Sequence, residues 1–199
     1  MRLLCYKEIH AERMIFEAIF PKIELKHIKA FERESGFLLP EDYKQFLLET
    51  NGFFSADFYA KSKFSDEVRQ ITKLFGLYEQ SLQQGVNATV YGKGQSKTSD
   101  LLYGYNVLQI LDEHPDFLIC IGSSPLINVL MSLAPEHCGR IYCGHYHEGE
   151  EQIYDEERAE STSIDEELAY VGFSLFANSF TEFLNSAVSE AEYDAYLKS

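Results

Sequence analysis

No run of apolar residues in the sequence approaches the roughly eighteen that a membrane-spanning helix requires, so no such helix is expected. The opening stretch, MRLLCYKEIHAERM, is broken by Lys7, Glu8, Glu12 and Arg13, which excludes the continuous apolar core of a secretory signal. The chain is therefore expected in the cytoplasm. Four cysteines, Cys5, Cys120, Cys138 and Cys143, in a chain without an export signal read as reduced thiols rather than a disulfide framework. Tryptophan is absent, and positive charge is scarce: 17 Lys and Arg face 32 Asp and Glu, a formal net charge of −15. Such a surface repels nucleic acid and anionic membranes, so neither is expected as a partner. It attracts basic proteins and speeds their approach. The plainer reading, that acidity only maintains solubility, stands beside it.

What the sequence has in quantity is large aromatic side chains, 15 Phe and 13 Tyr, within an apolar fraction of 45%. In 199 residues that is enough for one domain, spanning 1–199, to fold without a metal or disulfide staple. Residues 8–20 suggest a helix ended by Pro21. From Glu24 to Glu34, Leu25, Ile28 and Phe31 share a helical face, and Gly36 follows as a left-handed stop. Pro40 suits the first position of a second helix, Glu41 and Asp42 complement its dipole, and Asn51-Gly52 ends it. Residues 53–66 read as loop, 68–78 as one or two strands and 83–99 as surface loop. A third helix is expected over about 100–112, capped by Thr98 or Ser99. Strands over 117–121, 126–134 and 140–146 would form an antiparallel meander. Ten of the twenty residues 148–167 are Asp or Glu, which reads as a solvated loop or flexible insertion. A terminal helix is expected over about 174–188, with Tyr193 to Leu197 as an extension.

Three stretches resemble the SUKH superfamily, whose eukaryotic members are cell-wall-assembly regulators. The first is Phe31-Glu32 through Gly36, then Leu39-Pro40-Glu41-Asp42-Tyr43-Lys44-Gln45-Phe46-Leu47, closing on Asn51-Gly52. The second is Phe117 to Ser123, an apolar strand ending in Gly-Ser, and the third is Ala177-Asn178-Ser179-Phe180-Thr181-Glu182-Phe183-Leu184. Together they span about residues 24–188 in order. The acidic 148–167 segment and the first 22 residues depart from the family pattern. The resemblance implies an α+β fold with a central, mostly antiparallel sheet flanked by helices, and action by binding rather than catalysis. Bacterial members act as immunity proteins encoded beside secreted or contact-delivered toxins, often nucleases or deaminases, and the fold alone does not name the toxin.

Candidate chemistry is sparse. Cys138, Cys143, His145 and His147 are four potential zinc ligands, but Cys-x4-Cys is not a usual structural spacing and has no second pair. No metal and no cofactor are therefore expected: the favoured reading is a sheet edge with ordinary buried cysteines and surface histidines, and a zinc site at these four residues is the alternative. His145, His147 and Glu148 have no evident nucleophile to serve. The stretch Gly92 to Thr98 fails the phosphate-loop pattern, because Tyr91 and Ser96 stand where glycine is needed. The expected function is that of a non-enzymatic immunity protein, binding a cognate toxin with a basic cleft through Glu148, Glu150, Glu151, Asp155, Glu156 and Glu157. The alternative is an intracellular adaptor or regulator that binds a self protein.

Overall fold

The computed structural model describes residues 17–85, 97–110, 117–125, 127–144, 163–170 and 172–199. In chain order the strands are β1 (Glu17–Ala18), β2 (Phe53–Phe54), β3 (Tyr59–Lys61), β4 (Val68–Gln70), β5 (Lys73–Leu74), β6 (Leu118–Ser123), β7 (Asn128–Ser132), β8 (Ile141–Gly144), β9 (Phe173–Ala177) and β10 (Ala187–Val188). The helices are α1 (Leu25–Ser35), α2 (Glu41–Glu49), α3 (Glu79–Gln84), α4 (Leu101–Ile110), α5 (Ile164–Tyr170), α6 (Phe180–Leu184) and α7 (Glu190–Tyr196). One sheet runs β1-β2-β5-β6-β7-β8-β9 and a smaller one β10-β3-β4, with every strand pairing antiparallel. This is the α+β architecture that the sequence implied.

The central meander β6-β7-β8 forms where three apolar runs are separated by turn residues. Leu118, Ile119, Ile121, Val129, Leu130, Met131, Ile141 and Tyr142 are all fully buried, so both faces of these strands are covered. A second body of the core is aromatic. Tyr43 and Phe46 of α2 meet Phe180 of α6 at ring-centroid distances of 4.8 and 5.0 Å, and Phe46 continues through Phe53 and Phe58 to Phe183. Burying each such ring contributes about 1.5–3 kcal/mol, before any geometric preference between rings.

The helix boundaries follow their local chemistry. Gly36 ends α1 at φ +78°, and its N–H bonds Glu32 O. Pro40 is the N-cap of α2 rather than its first helical residue, which is Glu41. Asn51 (φ +49°) and Gly52 (φ +83°) then turn the chain through the left-handed region. Asp100, rather than Thr98 or Ser99, caps α4: its carboxylate accepts the Leu102 N–H at 3.0 Å.

Several expectations are corrected. Glu17–Ala18 are a strand paired with β2, so no helix reaches Ala18, and residues 8–16 lie outside the described part. The stretch 53–66 contains β2 and β3 rather than loop alone. β6 runs from Leu118 to Ser123, two residues beyond the 117–121 strand read from the apolar run and ending on the Gly-Ser of the family pattern. Residues 83 and 84 belong to α3, Lys97–Ser99 form a short 3-10 turn, and 86–96 are outside the described part. The acidic stretch ends in a helix, since α5 begins at Ile164. The single helix expected over 174–188 is three elements, β9, α6 and β10, and α7 is a separate helix. Phe176, Phe180, Phe183 and Ala187 mimic a helical period because a buried strand, one helical turn and a bridging strand follow each other closely. Ser179 marks the true helix start, accepting the Glu182 N–H on its side chain.

Candidate protein-binding surface

Several of the residues that make the sequence recognisable turn inward, whereas Glu41 and Asn178 are exposed. Glu32 of α1 accepts both the Leu39 N–H and the Lys44 ammonium, each at 2.9 Å, and so clamps α1 to α2. Asp42 accepts the Tyr43 N–H at 2.9 Å and the Thr181 N–H at 2.8 Å, joining α2 to the first turn of α6. Tyr43 is fully buried and donates its hydroxyl to Phe75 O at 3.3 Å. Burial first, and the nearby Cys120 second, push its pKa well up, so the hydroxyl stays a donor. These groups position elements. None is placed to meet a macromolecule.

The expected contact residues Glu148, Glu150, Glu151, Asp155, Glu156 and Glu157 lie outside the described residues, as do His145 and His147. The two roots of that segment are described. One is Gly144, at the end of β8, so tightly packed that a β-carbon there would sit 2.0 Å from Gly172 O. The other is the start of α5, where Ser163 and Glu166 cap each other's backbone N–H groups at 3.4 and 3.1 Å. Asp165 then accepts from Arg140 Nη1 at 3.0 and 3.3 Å and from the Tyr142 hydroxyl at 2.7 Å. Arg140 and Tyr142 flank the start of β8, so both roots attach to one strand, four residues long. Burial, followed by the hydrogen bond from Tyr142 to the Asp165 carboxylate, raises the Tyr142 pKa strongly and keeps this contact protonated. The Ser-x-x-Glu pattern at 163–166 was a sequence signal for the helix. The Asp165 anchor had none, because its partners are 23 and 25 residues away.

The possible metal set is not assembled by its described half. Cys143 is sealed within β8, at 1% exposure, while Cys138 is exposed just past the Pro135–His137 turn. Among the described residues no group of three or more His, Cys, Asp or Glu could hold a metal. Burial pushes the Cys120 thiol up to about 11 and the Cys143 thiol higher still. Partial burial and the nearby Asp42 charge raise the Cys138 thiol too, but it is exposed, so alkylation of the native chain followed by peptide mapping should label Cys138 first. Cys120 and Cys143 should be labelled only after unfolding, and rapid native labelling of Cys143 would contradict the packing of β8.

No described helix is long and apolar enough to cross a membrane. A family model, that of the SMI1 / KNR4 family (SUKH-1), matches residues 22–186, from just before α1 to just past α6. No curated protein matches the chain.

Proposed function

The chain belongs to the SMI1 / KNR4 family (SUKH-1), and on that premise we propose that it is an immunity protein that neutralises a cognate toxin by covering it. The family includes toxin-immunity proteins and regulatory adaptors, and its members are generally non-catalytic proteins that bind other proteins. The toxin is basic, as a nuclease must be to hold a phosphate backbone. Its cleft receives the acidic segment in place of nucleic acid, with Glu148, Glu150, Glu151, Asp155, Glu156 and Glu157 as the contacts, in the cytoplasm of the cell that makes the immunity protein and meets the incoming toxin.

The observation that carries this reading is charge. Half of residues 148–167 are acidic within a chain of net charge −15, and Arg158 is the only cation among them. The described residues on either side, Gly144 and the Asp165 anchor, both attach to β8 or to Arg140 beside it. The adaptor reading rests on the regulatory members of the family. Co-expression with the product of the neighbouring reading frame tests the choice. The immunity reading expects rescue of growth and a stoichiometric complex. Failure to rescue, with a pull-down returning only cell-wall or housekeeping proteins, transfers the conclusion to the adaptor.

A further inference from the structure

The outer face of α1 reverses the charge of the rest of the molecule. Lys22, Lys26, Lys29 and Arg33 are four of the chain's 17 cations, gathered within residues 22–33 of a sequence that holds 32 carboxylates. All four are exposed. Lys26, Lys29 and Arg33 follow one another at i+3 and i+4 along α1, which places them in one stripe. The other side of the helix carries His27, Ile28, Phe31 and Ser35 into the interior. Leu25, four residues before Lys29, borders the stripe and is 48% exposed.

Neighbouring acids do not neutralise the stripe. Glu32 turns away from it, bonded to the Leu39 N–H and to Lys44. Glu79 of α3 faces His27 on the packed side, at 3.5 Å. Glu34 stands about 100° round the helix from Arg33. Lys26 pairs with Glu24 at 3.2 Å, with both side chains in solvent. The side chains of Lys22, Lys29 and Arg33 make no hydrogen bond or ion pair among the described residues. The arrangement also works against its own helix. α1 has no acidic residue in its first turn and places Lys26 there, beside the positive end of the dipole. Lys26 and Lys29, then Lys29 and Arg33, set like charges at spacings that destabilise a helix. Arg33, in the last turn, is the one cation of the stripe that suits the dipole. Local rules broken together on one exposed face are accounted for by what that face meets.

We propose that the outer face of α1 is a docking surface for an acidic, extended stretch of a partner protein. The partner's carboxylates pair with Lys26, Lys29 and Arg33 and, at one end, with Lys22, while an apolar side chain beside them rests on Leu25. Carboxylates on one side of an extended strand recur about every 7 Å. Lys29 and Arg33 are about 6 Å apart along the helix axis, within the play of long side chains. Charge and packing together select this class of partner. A nucleic acid reaches past the few cations of the stripe and meets the repulsion of a chain of net charge −15, whereas a short peptide can be confined to the stripe. An anionic membrane takes a basic amphipathic helix by its apolar face, and that face of α1 is occupied, since Ile28 and Phe31 are fully buried. The surface lies apart in sequence from residues 148–157 and carries the opposite charge, so it does not depend on capture of a basic toxin.

The test titrates the full chain with a deca-glutamate peptide at low salt, followed by backbone NMR, with an oligothymidylate of similar charge as the comparison. Amide shifts with the peptide are expected at residues 22–33. The K26Q/K29Q/R33Q variant should weaken the affinity read there by about tenfold, as the loss of three exposed ion pairs implies. Its melting temperature should not fall, because the charges it removes repel one another. Peptide shifts that spare residues 22–33, or an unchanged affinity there in the variant, overturn the proposal. Tighter binding of the oligothymidylate at these residues also overturns it and makes the stripe a nucleic-acid site. A variant that melts well below the wild type overturns it in a third way, by showing that the stripe serves the fold. None of these outcomes bears on immunity, which the co-expression experiment decides separately.

Discussion

Asn51→Ala is expected to lower stability by about 3–5 kcal/mol. The Asn51 side chain is fully buried and closes a gap between three segments. Its Oδ1 accepts the Leu77 N–H at 2.8 Å, while its Nδ2 donates to Leu77 O at 2.8 Å and to Pro21 O at 2.7 Å. Alanine leaves the buried Leu77 peptide without partners, and an unsatisfied buried donor alone costs about 1–3 kcal/mol. Asn and alanine both carry a β-carbon at φ +49°, but Asn tolerates this region better, so alanine loses about a further 0.5–1 kcal/mol. Asn51→Gly separates the two contributions, because it removes the same hydrogen bonds together with the β-carbon, and should be milder than alanine by about 1–2 kcal/mol. Asn51→Asp keeps the acceptor but turns a carboxylate oxygen toward two carbonyls, and should be at least as damaging as alanine. Urea titration reads these differences as shifts in midpoint at constant slope. A loss below about 1 kcal/mol for alanine would show that water replaces the amide, contrary to the burial of this site.

The second large effect concerns rate. Replacing Glu148, Glu150, Glu151, Asp155, Glu156 and Glu157 by Gln and Asn removes six of the chain's 32 carboxylates from one short stretch. Association with a basic toxin should slow by about tenfold or more at low ionic strength, with a smaller change in dissociation. The wild-type rate should fall as salt is added and meet that of the variant near 1 M, where the screening length is about 3 Å. Stopped-flow mixing over a salt series measures both. A wild-type on-rate indifferent to salt would refute capture by charge while leaving immunity itself untouched.

The legible parts of the sequence were those whose signals are local. α1 and α2 could be placed because Ile28 and Phe31, then Tyr43, Phe46 and Leu47, repeat at helical spacing between residues that stop a helix. β6, β7 and β8 could be placed because they are apolar runs between turns. β2 and β5 are two residues long and have no period to detect, and their pairing is decided by partners far along the chain. β9 and α6 were merged because their buried phenylalanines share a spacing across the boundary, although Ser179 marked it. The acidic stretch was visible as composition, but its fastening through Arg140 and Tyr142 depends on a strand and a helix meeting in space. The Tyr59–Tyr193 stack joins residues 134 apart in the chain, 193 less 59, and no rule of spacing reaches that far.

Gly76 shows how narrow the tolerance is around Asn51: a β-carbon there would lie 2.1 Å from Asn51 O, inside any permissible approach. The segments that meet at this point belong to the interior, while the carboxylates proposed to touch a partner belong to another stretch of the sequence. Inheritance can then act on the two independently. Descendants of one ancestral gene can trade one adversary for another by altering those carboxylates, while the Asn51–Gly76 junction holds the ancestral shape. A chimera carrying the 145–162 stretch of one descendant on the frame of another should fold, and should protect against the donor's toxin.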